Sequence, residues 1–172
     1  MPVLTRDELN GLNPDKLYRL KFVLHYEQWS NLDPTILSHL HSPVKLKFDD
    51  NIRNSLGAIK NKKGVYIFMI EPDFPNVPTS NYLVYVGEVT AGNTFFKRFY
   101  DYVSAIGDRN KRRNIQLLTN LWPDKTWVYF YELSLTDAEI EAIESNLYDN
   151  IIPPLNNKFK AKKAKNSRSL YS

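Results

Sequence analysis

The stretch that decides the fold is residues 64–87, GVYIFMIEPDFPNVPTSNYLVYVG. Two apolar runs, Gly64–Ile70 and Tyr82–Val89, flank a loop carrying Pro72, Pro75 and Pro78. β-Branched and aromatic residues suit a pleated, half-buried surface, so the runs read as neighbouring antiparallel strands joined by a long loop. In the second strand a period of two sends Tyr82, Val84 and Val86 to one face and Leu83, Tyr85 and Gly87 to the other. Tyr85 is then followed on its own face by a glycine, which predicts open space beside a phenol for close approach of a ligand or backbone.

Downstream of this pair, Thr94 is placed to cap a helix running to about Ile106 and ended by Gly107. Phe95, Phe99, Tyr102, Val103 and Ile106 make its apolar stripe, Lys97 and Asp101 lie opposite, and Arg98 sits at the boundary. A boundary arginine packs its stem while holding its guanidinium in a cleft. A basic group, Arg109, Lys111, Arg112 and Arg113, leads into a short helix with Ile115, Leu118 and Leu121, ended by Pro123. Residues 126–133, TWVYFYEL, alternate Trp127, Tyr129 and Tyr131 against Val128, Phe130 and Glu132 and read as a third strand. Thr136 with Glu139 forms a capping box that starts a helix to about Ile151, stopped by Pro153-Pro154.

That last helix holds the most informative residue. Ile140, Ile143, Leu147 and Ile151 form one face, and Glu144 falls inside their arc. A carboxylate on a core-facing stripe costs several kcal/mol unless it is paired or bound to a cation. It is either an edge residue bridged to a Lys or Arg, or part of a site.

Residues 1–59 read as short helices with no catalytic motif: Thr5 with Glu8, Asn13-Pro14 and Asp33-Pro34 are start signals, and Asp49 or Asp50 precedes Ile52, Leu56 and Ile59. All three histidines, His25, His39 and His41, fall here, but no convergent donor set accompanies them, so metal ligation is not expected. The segment reads as a packing layer, or as a surface for recognising a substrate or partner.

Composition narrows the class. With 42% hydrophobic and 13% aromatic residues, the chain of 172 residues can build a real core in one domain. No run of about 18 apolar residues spans a membrane, and the first residues lack the pattern of a signal peptide. The absence of cysteine excludes disulfides and thiolate metal sites and fits a cytoplasmic location. The net charge of +4 is unevenly placed: Lys60, Lys62 and Lys63 precede the first strand, and Lys158, Lys160, Lys162, Lys163, Lys165 and Arg168 crowd the end. These clusters favour a polyanionic partner.

Gly64-Val65-Tyr66 followed by Tyr85-Val86-Gly87 resembles the paired signature of the GIY-YIG nuclease superfamily. Arg98, thirteen residues after Tyr85, matches the family's helix arginine after a short loop insertion. Glu144 matches its metal-binding glutamate, and Asn156, twelve residues on and preceded by Pro153-Pro154, matches its asparagine. The resemblance covers about residues 61–158 and implies an α+β fold. Its core is a small three-stranded antiparallel sheet flanked by helices, here with a short helical extension over residues 1–60 and a basic tail over 159–172. Departures are Glu88 after the second motif, where the family often has Lys or Gln-Thr, and Tyr102 where some members have a histidine.

The resemblance further implies a metal-dependent endonuclease acting on double-stranded or branched DNA, in a repair or restriction role. Tyr66 and Tyr85 would polarise water and orient phosphate, in an order that stays open. Arg98 would neutralise phosphate oxygens, Glu144 would hold one Mg²⁺ or Mn²⁺, and Asn156 would steady Glu144 or a nearby backbone group. A phenol with a pKa near 10 is a poor base unless a cation lowers it. Lys63, Lys97, Arg109, Lys111, Arg112, Arg113 and Lys158 are the candidate nucleic-acid contacts. Double-strand cutting by one such site calls for a homodimer or sequential nicks. The competing expectation is a non-catalytic nucleic-acid-binding module on a decayed nuclease fold.

Overall fold

The computed structural model describes residues 22, 26–72, 81–90, 92–106, 114–115, 118–119, 122–156 and 159. Their elements are α1 (Tyr26–Trp29), α2 (Pro34–Ser38), β1 (Val44–Lys47), α3 (Ile52–Ser55), a 3₁₀ turn (Gly57–Ile59), β2 (Gly64–Ile70), β3 (Tyr82–Val89), α4 (Phe95–Val103), β4 (Thr126–Glu132) and α5 (Asp137–Ile151). The four strands form one antiparallel sheet in the order β1-β4-β2-β3.

The molecule is an α+β fold, and its sheet is wider than the expected three strands. The additional strand, β1, comes from the segment read as wholly helical. VKLK has too few residues for a visible period of two, and its partner lies far along the chain: Val44 sits opposite Phe130 and Lys47 opposite Trp127. Residues before Lys60 also enter both cores. Phe48, Ile52, Leu56 and Ile59 join Tyr66, Phe68, Phe99 and Phe130 on one face. Leu32, Ile36 and Leu40 pack with Val65, Val86, Ile140 and Leu147 on the other. The sheet is thus sandwiched, with α3 and α4 against one face and α5, backed by α1, against the other.

The helix signals act as their chemistry dictates. Asp33 caps α2 by accepting from Thr35 N at 2.8 Å, and Thr94 caps α4 by accepting from Lys97 N at 3.2 Å. The Thr136–Glu139 capping box opens α5 with both reciprocal bonds. Asn51 precedes α3 without a side-chain cap, while Asp49 accepts from Asn51 N. α4 ends at Val103, earlier than the apolar stripe suggests, in a turn through Ile106. At the far end of α5, Ile152 adopts a left-handed conformation (φ 55°), rare for a β-branched residue. Pro153 forbids another helical turn, and burial of Ile152 secures the reversal.

One irregularity changes the reading of β3. The register slips between Phe68 and Met69, so that Phe68 faces Tyr85 while Met69 faces Leu83, leaving Val84 as an extra residue. Val84 consequently shares a face with Tyr85, and Leu83 shares one with Val86, against the alternation expected from the sequence.

Gly64 carries a backbone constraint. Its φ is +149°, and a Cβ there would run into the carbonyl oxygen of Tyr131 on β4. Gly64→Ala is expected to lower unfolding free energy by at least about 2 kcal/mol, read from the urea midpoint at unchanged m-value.

Candidate active site

β2 and β3 present the two motif tyrosines side by side. Tyr66 and Tyr85 stack with ring centroids 6.3 Å apart and planes inclined by 29°. Gly87 lies directly across from Tyr66 in the register. The space expected to stand open beside Tyr85 is filled: a Cβ on Gly87 would fall on Cζ and the hydroxyl of Tyr66. The glycine therefore serves the neighbouring phenol and leaves no cavity of its own.

α4 closes this cluster from the same face. Tyr102 brings its hydroxyl to 2.5 Å from that of Tyr66. Phe99 packs edge-on against Tyr66, 5.3 Å between centroids, and Phe68 completes the aromatic wall. The sequence places Tyr102 in the apolar stripe, at a family variant position and next to Arg98 on the helix surface, but does not show its bond to Tyr66.

Arg98 is half-buried. One guanidinium nitrogen reaches the carbonyl oxygen of Glu88 at 3.4 Å, and Nε is buried with no hydrogen-bond partner among the described residues. A buried donor without an acceptor is a costly arrangement. Burial works against the charge of Arg98, but Tyr66, Tyr102, Glu88 and Tyr85 outweigh it, and the guanidinium is held charged. Glu88 keeps its carboxylate on Thr90 Oγ1 at 2.9 Å, beside the arginine.

Glu144 is partly buried on α5, next to buried Ile140, Ile143, Leu147 and Tyr148. Its charge reaches the phenol of Tyr85 and adds to the forces that hold that proton in place. Tyr66 is sealed at 1% exposure, whereas Tyr85 is only partly buried. Tyr85 is therefore the less enclosed of the two motif phenols. Burial pushes both phenols above the usual tyrosine range. For Tyr85, Tyr102 and the charge of Glu144 add to the effect, and Arg98 opposes it in both.

Asn156 does not reach this cluster through its own amide. It is 7% exposed, and its side chain makes two bonds to one residue of β3: Oδ1 accepts from Val86 N at 2.9 Å and Nδ2 donates to Val86 O at 2.8 Å. Leu155 N adds a bond to Val84 O at 3.0 Å. Together these residues stand in for a missing neighbour strand along the open edge of β3 and lock the end of α5 to the strand bearing Tyr85.

The basic candidates divide. Lys63 pairs with Asp137 at 2.9 Å, and Lys97 reaches the carbonyl of Gly92 at 3.3 Å. Arg109, Lys111, Arg112, Arg113 and Lys158 lie outside the described residues, as do most of the tail and the start signals at Thr5 and Asn13.

Among the described residues no three His, Cys, Asp or Glu side chains converge to hold a metal ion. No protein-family model, curated protein or solved structure matches the chain.

Two outcomes follow from this geometry. Both buried phenols release their protons less readily folded than unfolded, so above about pH 10 the unfolded chain binds fewer protons and stability falls as pH rises. Tyr66→Phe is expected to reduce that fall by about 1.4 kcal/mol per pH unit, one proton's worth, in urea melts between pH 10 and 11.5. Asn156→Leu leaves the Val86 amide and carbonyl unpaired and is expected to cost about 2–4 kcal/mol, with faster hydrogen exchange confined to β3 and the end of α5.

Proposed function

We propose that the chain is a metal-dependent endonuclease that hydrolyses DNA phosphodiester bonds. The observation that carries this reading is the buried, unpartnered Nε of Arg98, whose guanidinium lies within the fields of the phenols of Tyr66, Tyr102 and Tyr85. A guanidinium whose donor awaits an acceptor in a partly dry pocket is matched to a phosphate oxygen, and its permanent charge opposes the negative charge that builds at phosphorus.

Roles within the site follow from exposure. Tyr85, the less enclosed phenol and within the field of Glu144, orients the attacking water or a phosphate oxygen by hydrogen bonding. Tyr66, sealed and bonded to Tyr102, fixes the plane against which Tyr85 stacks. A Tyr-activated water requires positive charge beside the phenol, because burial holds its proton firmly; Arg98 supplies part of that charge. Glu144 would hold Mg²⁺ or Mn²⁺, which when bound supplies Lewis-acid stabilisation of the leaving oxygen. Asn156 acts as a positioning residue by anchoring β3 to the end of α5.

The test is incubation of the full chain with supercoiled plasmid, with and without Mg²⁺. Glu144→Ala and Arg98→Ala are each expected to lower the nicking rate by about 10²-fold or more while circular dichroism stays unchanged. Cleavage insensitive to both substitutions would remove the mechanism. Salt-sensitive DNA binding with no cleavage of any substrate would leave a binding module in its place.

A further inference from the structure

On the outer side of α4, away from the tyrosine cluster, an arginine is clamped between two exposed rings. The guanidinium carbon of Arg53, from α3, lies 4.1 Å from the ring centre of Phe96 and 4.5 Å from that of Tyr100. Phe96 and Tyr100 remain 36% and 55% exposed, although large aromatic side chains at such positions gain nothing from water. Arg53 Nε is buried without a hydrogen-bond partner, and among the described residues neither Arg53 nor Lys60 pairs with an acid. Lys60 adjoins the patch, because Phe96 N donates to its carbonyl at 2.9 Å. The nearest opposing charge on α4 is exposed Asp101, one turn beyond Lys97.

We propose that Arg53, Phe96 and Tyr100 form a second nucleic-acid contact, which takes an unpaired nucleotide with its base against Tyr100 and its phosphate on the edge of Arg53. The two rings lie against the guanidinium, and with Nε buried its terminal nitrogens are the donors for an anion. A ring more than half exposed offers a stacking platform indifferent to base identity. Around α4, Lys97 and Asp101 both lie between Tyr100 and Arg98, so a strand leaving Arg98 passes an acid and then a cation before meeting the clamp. The inference rests on the nucleic-acid part of the proposed function and does not need the cleavage step. It selects substrates with splayed or single-stranded DNA near the cut.

The experiment measures anisotropy of a labelled 12-nucleotide single strand and of a blunt duplex with the full chain in EDTA, across a salt series. Tyr100→Ala is expected to weaken single-strand binding by about 5- to 10-fold and duplex binding by less than about twofold, with Tyr100→Phe restoring affinity. Arg53→Gln is expected to lower the single-strand salt slope by about one. If Arg53→Gln alters the melting temperature, the Ala and Phe substitutions at Tyr100 carry the test. An absence of single-strand binding, or a Tyr100→Ala affinity equal to that of the parent, would overturn the inference. Plasmid nicking, scored separately, reports on the nuclease reading, and either result can fail while the other stands.

Discussion

The site depends on one steric constraint: the ring of Tyr66 lies in the volume that any side chain at Gly87 would occupy. β2 and β3 pair at normal spacing, so a phenol can turn flat across its neighbour only where that neighbour has no Cβ. From that placement the Tyr66 hydroxyl meets Tyr102, the ring stacks on Tyr85, and Phe99 and Phe68 close around it. A bulkier residue at 87 would push the phenol out and disperse the groups gathered around it.

Electrostatics then sets what the cluster can do. The phenols of Tyr66 and Tyr85, which keep their protons, and one guanidinium that keeps its charge share a poorly solvated space, within the fields of Glu144 and Glu88. Much of Arg98's field is unanswered at Nε, where the described residues supply no acceptor. Such preorganisation is expensive to leave empty and favours an anion that brings its own oxygens. Glu88 tempers this preference, since its charge lies close to the same guanidinium.

Much of this was legible in the primary structure because it is local. The motif strands, the caps at Thr94 and Thr136, the stripe on α4 and the position of Glu144 on α5 follow from periodicity and short-range hydrogen bonding. What stayed hidden depends on partners distant in sequence. β1 is too short to announce itself and exists by pairing with β4. The slip at Val84 reverses half of β3, and no residue type there demands it. The space at Gly87 follows from one strand, while its occupant comes from the next. The resemblance ties Asn156 to Glu144 or a nearby backbone group; its bonds are to the backbone of Val86, seventy residues away.

The origin of β1 has a consequence for dissecting the molecule. A fragment begun at residue 61 would retain every motif position yet strip the outer flank of β4 and remove Phe48, Ile52, Leu56 and Ile59 from beneath the tyrosines. Its newly bared strand would offer unsatisfied amides and carbonyls to any passing chain, inviting self-association before chemistry could be assayed. The motif-bearing segment thus shares both its sheet and its cores with the segment before it, and a swap that kept those contacts would carry the preceding segment along.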